Sequence, residues 1–298
     1  MRGNRLLLIC LLLSFICLSS TVRAACNLEL QEVDNAVWSR SGGYDVFDPV
    51  AYVDRFSFDV LHLEADGEPC DAVVSIVPKT TTRLRGPGSA SLVYEIRADA
   101  GEPSGPKGVT FAFELQPGER HQLRYFIFLQ SGQFMPSGVY ESRIGISVAE
   151  DINGLVGEKD EKDIAVRTTV GSGAEISFVG AVGRQQTIDL GELTDGKSSP
   201  RVFLDVLSTG GYEISLTSEE GGQLVQRVDG QRWAVPYRTI LDGSRIELRG
   251  RDKARRRYAG ATDPAGHRLP LQFQLETVGN QRAGAYRDRI TIEITPAL

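Results

Sequence analysis

A chain of 298 residues, 41% of them hydrophobic, carries enough apolar material for two domains of ordinary size. It holds 33 Lys and Arg against 39 Asp and Glu, a formal net charge of −6, and shows no basic face of the kind nucleic acid requires. The longest apolar run, Leu6 to Leu18, is shorter than a bilayer span, and no later segment is apolar enough to cross.

That run follows Arg2 and Arg5 and precedes Val22-Arg23-Ala24, so residues 1–24 read as a cleavable signal peptide. A lipoprotein reading would use Cys26, but Arg23-Ala-Ala-Cys26 lacks the Leu expected three positions before the cysteine. Without residues 1–24 the chain keeps 30 basic and 39 acidic side chains, a net of −9. Of the four cysteines, Cys10 and Cys17 leave with the leader. Cys26 and Cys70 remain, and in an exported chain two such thiols predict one disulfide. It would close a loop of about 45 residues and stabilise by a few kcal/mol. A metal site is disfavoured because His62, His121 and His267 stand apart from the pair.

Leu28, Leu30 and Val33 predict a first strand. The segment from Val37 to Phe58, with Trp38, Tyr44, Phe47, Tyr52 and Phe56 among Gly and Pro, has too many breakers for one strand and too many aromatics for an ordinary loop. Phe56 to Val60, Ala72 to Val77, Leu92 to Ile96, Val109 to Leu115 and Leu123 to Leu129 read as further strands. Asp99 to Gly108 is a loop by composition. Asp151 to Thr168, with Glu-Lys-Asp-Glu-Lys-Asp at its centre, predicts an exposed hairpin excursion, followed by a strand from Ile164 to Val170 and the linker Gly171-Ser-Gly173.

In the second half Ile176 to Val179, Val202 to Leu207, Tyr212 to Leu216 and Pro236 to Leu241 predict strands, the last entering a tight Asp242-Gly243 turn. Its counterpart in the first half is the strand containing Tyr94. Tyr212 is expected where the first half has Cys70, with packing in place of a disulfide. The basic stretch Arg249 to Arg257 reads as a solvated loop or a contact for an anionic partner.

One phrase occurs twice. Ile290, Ile292 and Ile294 alternate with polar residues, as do Ile144, Ile146 and Val148 at an offset of 146. At the same offset Leu123, Tyr125, Ile127 and Leu129 fall on Leu269, Leu271, Phe273 and Leu275. The reading is an all-β chain of two β-sandwich domains, residues 25–169 and 170–298. No Gly-x-Ser-x-Gly, His-Glu-x-x-His or phosphate-binding loop is present, so neither an enzyme nor a cofactor is expected.

The phrase Ala283-Gly284-Ala-Tyr286-Arg-Asp288-Arg-Ile290-Thr-Ile292 resembles the closing motif of spore coat protein U-like domains. Leu190-Gly191-Glu-Leu193, Gly211-Tyr212-Glu-Ile214-Ser-Leu216 and Val235-Pro236-Tyr237-Arg-Thr-Ile240-Leu241-Asp242-Gly243 resemble that family too. The resemblance spans residues 176–298 and extends more faintly over 26–150. Such domains are immunoglobulin-like subunits of archaic chaperone–usher pili. The resemblance therefore implies an incomplete pilin-type sandwich at the C-terminus, completed by a strand from a periplasmic chaperone or the adjacent pilin subunit. Its acceptor groove would be lined by Leu269, Leu271, Phe273, Leu275, Ile290, Ile292 and Ile294, unless these are core residues of a complete sandwich.

With Cys26 so near the cleavage site, the subunit would accept a strand without donating one. That places it at the pilus tip as an adhesin, delivered through the periplasm and an outer-membrane usher to the cell surface. The first domain would meet an unknown surface or receptor through Phe134 and Met135 at a hairpin tip, or through Trp38, Tyr44 and Phe47, unless these cap the core. A periplasmic pilus chaperone, or a secreted binding protein with two complete sandwiches, is the alternative.

Overall fold

A computed structural model describes residues 26–37, 43–64, 67–98, 108–152, 155–181, 183–250 and 253–297. The leader read at residues 1–24, Trp38 and most of the loop from Asp99 lie outside the described residues.

Among the described residues, apolar residues alternating with polar ones give ten strands in the first half. They are β1 (Leu28–Gln31), β2 (Ala36–Val37), β3 (Tyr52–His62), β4 (Cys70–Pro78), β5 (Arg83–Arg85), β6 (Ser91–Arg97), β7 (Val109–Leu115), β8 (Arg120–Leu129), β9 (Gly138–Ile152) and β10 (Leu155–Val170). Two layers result, one ordered β1-β3-β8-β6 and the other β7-β4-β9-β10-β2, with β5 pairing to both β6 and β9 at the corner. Between them Phe58, Val74, Ile76, Tyr125, Ile127, Ile144 and Ile146 form a sealed core.

Nine strands follow among the described residues: β11 (Ala174–Phe178), β12 (Val202–Ser208), β13 (Tyr212–Ser218), β14 (Gln223–Val228), β15 (Gln231–Leu241), β16 (Ser244–Ile246), β17 (Ala254–Tyr258), β18 (His267–Leu275) and β19 (Ile290–Pro296). One layer runs β11-β12-β18-β15-β14, with β16 on β15, and the other β17-β13-β19. They enclose a second, separate core that includes Leu204, Val206, Ile214, Leu216, Leu269 and Leu271. The described residues are all-β, arranged as two sandwiches, and contain no helix.

The internal repeat holds at the level of hydrogen-bond register. Leu30 faces Val60 as Ile176 faces Val206, and Phe58 faces Leu123 as Leu204 faces Leu269. Tyr94 faces Leu129 as Tyr237 faces Leu275, which makes β6 and β15 counterparts. The Asp242-Gly243 turn takes φ of 49° and 71°, the left-handed pair suited to a two-residue hairpin.

Three expectations change. Ala72 faces Glu150 and Tyr212 faces Pro296, so register gives Tyr212 the place of Ala72, two residues along the same face from Cys70. Packing does operate there: Tyr212 stacks on Tyr258 at 4.8 Å and 13°, and its hydroxyl is hydrogen-bonded to His267 Nδ1 at 2.7 Å. The basic stretch is not simply a loop, because Ala254–Tyr258 forms β17 against β13. Arg255 and Arg257 both pair with Glu213, and Arg256 pairs with Asp242 at 2.9 Å. Finally, the charged segment read as an excursion is the first half of β10. It pairs with β9 from Lys159 opposite Ala149 onward, with an irregularity between Val156 and Lys159.

Cys26 and Cys70 are bridged, with Cα atoms 6.0 Å apart, and the Cys26 N–H donates to Glu150 Oε2 at 3.0 Å. The bridge ties the start of the first sandwich to β4. Replacing both cysteines with Ser should lower the stability of the first core by about 2–4 kcal/mol. Denaturant unfolding should show the loss in the transition of the first core and leave the second unchanged.

Candidate functional site

The two closing strands carry nearly the same side chains in the same register but sit in different surroundings. β9 lies between β4 and β10, hydrogen-bonded on both edges, and Ile144, Ile146 and Val148 are 0% exposed. β19 pairs with β13 on one edge, Ile292 opposite Leu216 and Ile294 opposite Ile214. Among the described residues no strand pairs along its other edge. Ile290, Ile292 and Ile294 are correspondingly only half-buried.

The opposite wall is β11, which is the outer strand of its layer and approaches β19. Val179 N–H donates to Phe203 O, and Thr209 N–H donates to Gly173 O. Antiparallel alternation then turns the backbone groups of Ala174, Ile176 and Phe178 away from β12, toward the groove. The side chains of Ile176 and Phe178, and of Ile188 and Leu190 in the segment beyond, are half-buried against the second core. In the first sandwich Leu30 holds the place of Ile176, and its backbone is fully satisfied. Its N–H donates to Asp160 Oδ2 at 2.7 Å, and its carbonyl accepts from Lys162 Nζ, both on β10.

The seven groove residues read from sequence therefore divide. Leu269, Leu271, Phe273 and Leu275 lie on β18, the middle strand between β12 and β15, and are 0–7% exposed. They form the floor of the core. Ile290, Ile292 and Ile294 line the open edge. Ile176 and Phe178 on β11 complete its walls, and only their alternation hinted at it.

Of the residues read as an adhesive tip, Trp38 lies outside the described residues, and the other four contact the rest of the first sandwich. Tyr44 is fully buried, its hydroxyl donating to Gln130 O and accepting from Gln133 N–H, each at 2.9 Å. Phe47 meets Phe134 edge-on at 6.2 Å, and Phe47, Phe134 and Met135 pack against the first core. Nearby, Ser137 N–H donates to Thr209 O at 2.6 Å, so this packed end adjoins the second sandwich. A buried tyrosine with both hydroxyl roles satisfied is a core cap, not a free contact. His121, stacked on Phe113 at 4.5 Å, and His267, edge-on to Tyr258, hold counterpart positions in the two sandwiches.

One side chain of the closing motif has a role that its letters did not announce. Asp288 accepts from the hydroxyls of Ser218 at 2.6 Å and Tyr237 at 2.5 Å, and from the N–H groups of Glu220 at 3.1 Å and Arg289 at 2.7 Å. It fixes the entry of β19 into the sheet and so holds the open edge in place. Four residues earlier Gly284 takes φ of 149°, as Gly138 does at the start of β9, and a Cβ on Gly284 would lie 2.0 Å from the Gln226 side chain. Burial, and then the neighbouring Asp288 carboxylate, push the Tyr237 hydroxyl pKa well up.

No protein-family profile matches the chain, and no curated protein sequence does. Solved structures of similar shape exist. A chain of the chaperone–tip adhesion subunit pre-assembly complex CsuC–CsuE, from the archaic chaperone–usher Csu pili of Acinetobacter baumannii, is 11% identical. That match covers 89% of this chain and 99% of the other, with a TM-score of 0.47. The CupB6 tip adhesin of Pseudomonas aeruginosa is 11% identical over 90% of this chain and 94% of its own, with a TM-score of 0.36. CfaE, the adhesive subunit of CFA/I fimbria of enterotoxigenic Escherichia coli, is 13% identical over 90% of this chain and 81% of its own, with a TM-score of 0.37.

Replacing Asp288 with Ala would remove the acceptor shared by the buried Ser218 and Tyr237 hydroxyls and by the part-buried Glu220 N–H. The second core should lose about 2–4 kcal/mol in denaturant unfolding, with the first core unaffected. Burial also pushes the hydroxyl pKa values of Tyr212 and Tyr258 up to about 12, above the ordinary value of 10.0. A raised tyrosine pKa favours the neutral folded form, so its contribution is complete below pH 10 and fades as pH rises toward 12. The second core should weaken across that window in pH-jump unfolding, and Tyr212→Phe should flatten the loss.

Proposed function

We propose that this chain is a pilus subunit of the tip type, which mediates attachment and is assembled by strand donation. In this reading residues 170–298 form a pilin-like acceptor domain and residues 25–169 a surface- or receptor-binding domain. A periplasmic chaperone fills the open edge in transit, an outer-membrane usher exports the subunit, and the adjacent pilin subunit replaces the chaperone in the fibre. No catalytic step is involved.

One observation supports this reading above the others. Within a single chain the same strand, in the same register, is sealed where a neighbour pairs with it and open where none does. Fully burying an isoleucine is worth about 1.5–3 kcal/mol, so completing the burial of three that are already largely buried contributes roughly 1–2 kcal/mol, before any ladder hydrogen bonds. A hydrophobic sheet edge left open also invites uncontrolled pairing, which is the physical reason for an escort in transit. The Csu complex pairs a chaperone with a tip adhesion subunit before assembly, the arrangement proposed for this chain.

The test is a full-length chain extended after Leu298 by a flexible Gly-Ser linker and an alternating apolar strand. The thermal midpoint of the second core should rise by on the order of 10 °C, with that of the first unmoved. An unchanged second transition would overturn the acceptor assignment.

A further inference from the structure

The first sandwich contains its own version of the strand that the second lacks, and β10 can be read as a template for it. β10 runs antiparallel to β9, with Ile164 opposite Ile144, Val166 opposite Ser142 and Val170 opposite Gly138. The inward row of its second half, Ile164, Val166, Thr168 and Val170, is sealed. The row does not continue as apolar. Lys162 lies opposite Ile146 and Asp160 opposite Val148, positions where an apolar groove would be expected to select apolar side chains.

These two charges serve the facing strand. β1 does not pair with β10, so Leu30 would leave a backbone N–H and C=O open. Asp160 and Lys162 supply the acceptor and the donor in their place. The lysine stem also lies across from Ile146, covering it while the ammonium reaches the carbonyl.

We infer that the strand completing the second sandwich runs antiparallel to β19 and leads with an acidic side chain, then one residue, then a basic side chain, ahead of a β-branched alternating row. Ile176 occupies the register of Leu30, with its N–H and C=O turned into the groove. Carried over by the repeat, the acid falls opposite Ile294, the base opposite Ile292 and the first β-branched residue opposite Ile290. The acid accepts from Ile176 N–H and the base donates to Ile176 O. The partner is thus an amphipathic strand with a charged leading end, not a uniformly apolar one. This inference rests on the acceptor reading above.

The experiment titrates the full-length chain by calorimetry with three peptides. The first is Lys-Asp-Glu-Lys-Asp-Ile-Ala-Val-Arg-Thr-Thr-Val, the sequence of residues 159–170. The second carries Ala in place of both Asp160 and Lys162, and the third is a Thr-Val repeat of equal length. A nitroxide at the N-terminus of the first peptide locates it by broadening methyl signals. Support requires that the first peptide binds, that the nitroxide broadens Ile294 more than Ile290 and leaves Val148 sharp, and that the Ala peptide binds about tenfold more weakly, as loss of charge-assisted bonds demands. Equal affinity of the first two peptides, tighter binding of the Thr-Val repeat, or broadening centred on Ile290 would overturn the inference and leave strand acceptance standing. If no peptide binds while the linked strand of the preceding test also fails to stabilise the second core, acceptance itself falls.

Discussion

The pairing of β10 with β9 separates the two halves of this protein. Along that ladder the backbone of β9 is satisfied on both edges, and its isoleucines are removed from water. Among the described residues β19 has one ladder instead of two, and the consequences follow from elementary physics. Peptide groups directed away from the sheet must find water or a partner, and the β-branched row stays partly exposed to water. The second sandwich is thus stable enough to hold its shape through β13 and the Asp288 network, yet retains a strip whose burial is still favourable.

The same contrast explains why charged side chains stand where apolar ones would be expected. A strand that packs beside an unpaired neighbour must provide for that neighbour's backbone as well as for the hydrophobic core. Asp160 and Lys162 do this for Leu30, and their stems still cover the ends of the row. Sandwiches of this kind manage a strand edge by side-chain capping where the ladder geometry does not reach.

Each sandwich also secures its strands by a different device. The first uses the Cys26–Cys70 bridge at one end and the Tyr44, Phe47 and Phe134 cluster at the other, where the second sandwich begins. The second relies on the stacked pair Tyr212 and Tyr258 and on the four-bond carboxylate of Asp288. The basic residues of β17 are engaged with Glu213 and Asp242, so that cluster balances local acids.

Much of this was legible in the letters. Period-two alternation located most strands, the offset of 146 between the two closing phrases revealed the repeat, and cysteine counting identified the bridge, because each depends on local spacing or on a small set of pairings. The tertiary structure decided what depends on neighbours in space. Alternation marks one face of Ile290 to Ile294 as apolar, but whether that face is sealed depends on a strand from elsewhere, so the sequence grouped it with Leu269 to Leu275, whose strand is enclosed on both sides. Phe134 and Met135 look exposed between turn residues, and only the fold brings Phe47 against Phe134 and packs both residues onto the first core. The Glu-Lys-Asp run reads as solvent-facing because charge is costly to bury alone; Lys159, Glu161 and Asp163 do face solvent, and only the open backbone of Leu30 makes the inward placement of Asp160 and Lys162 favourable.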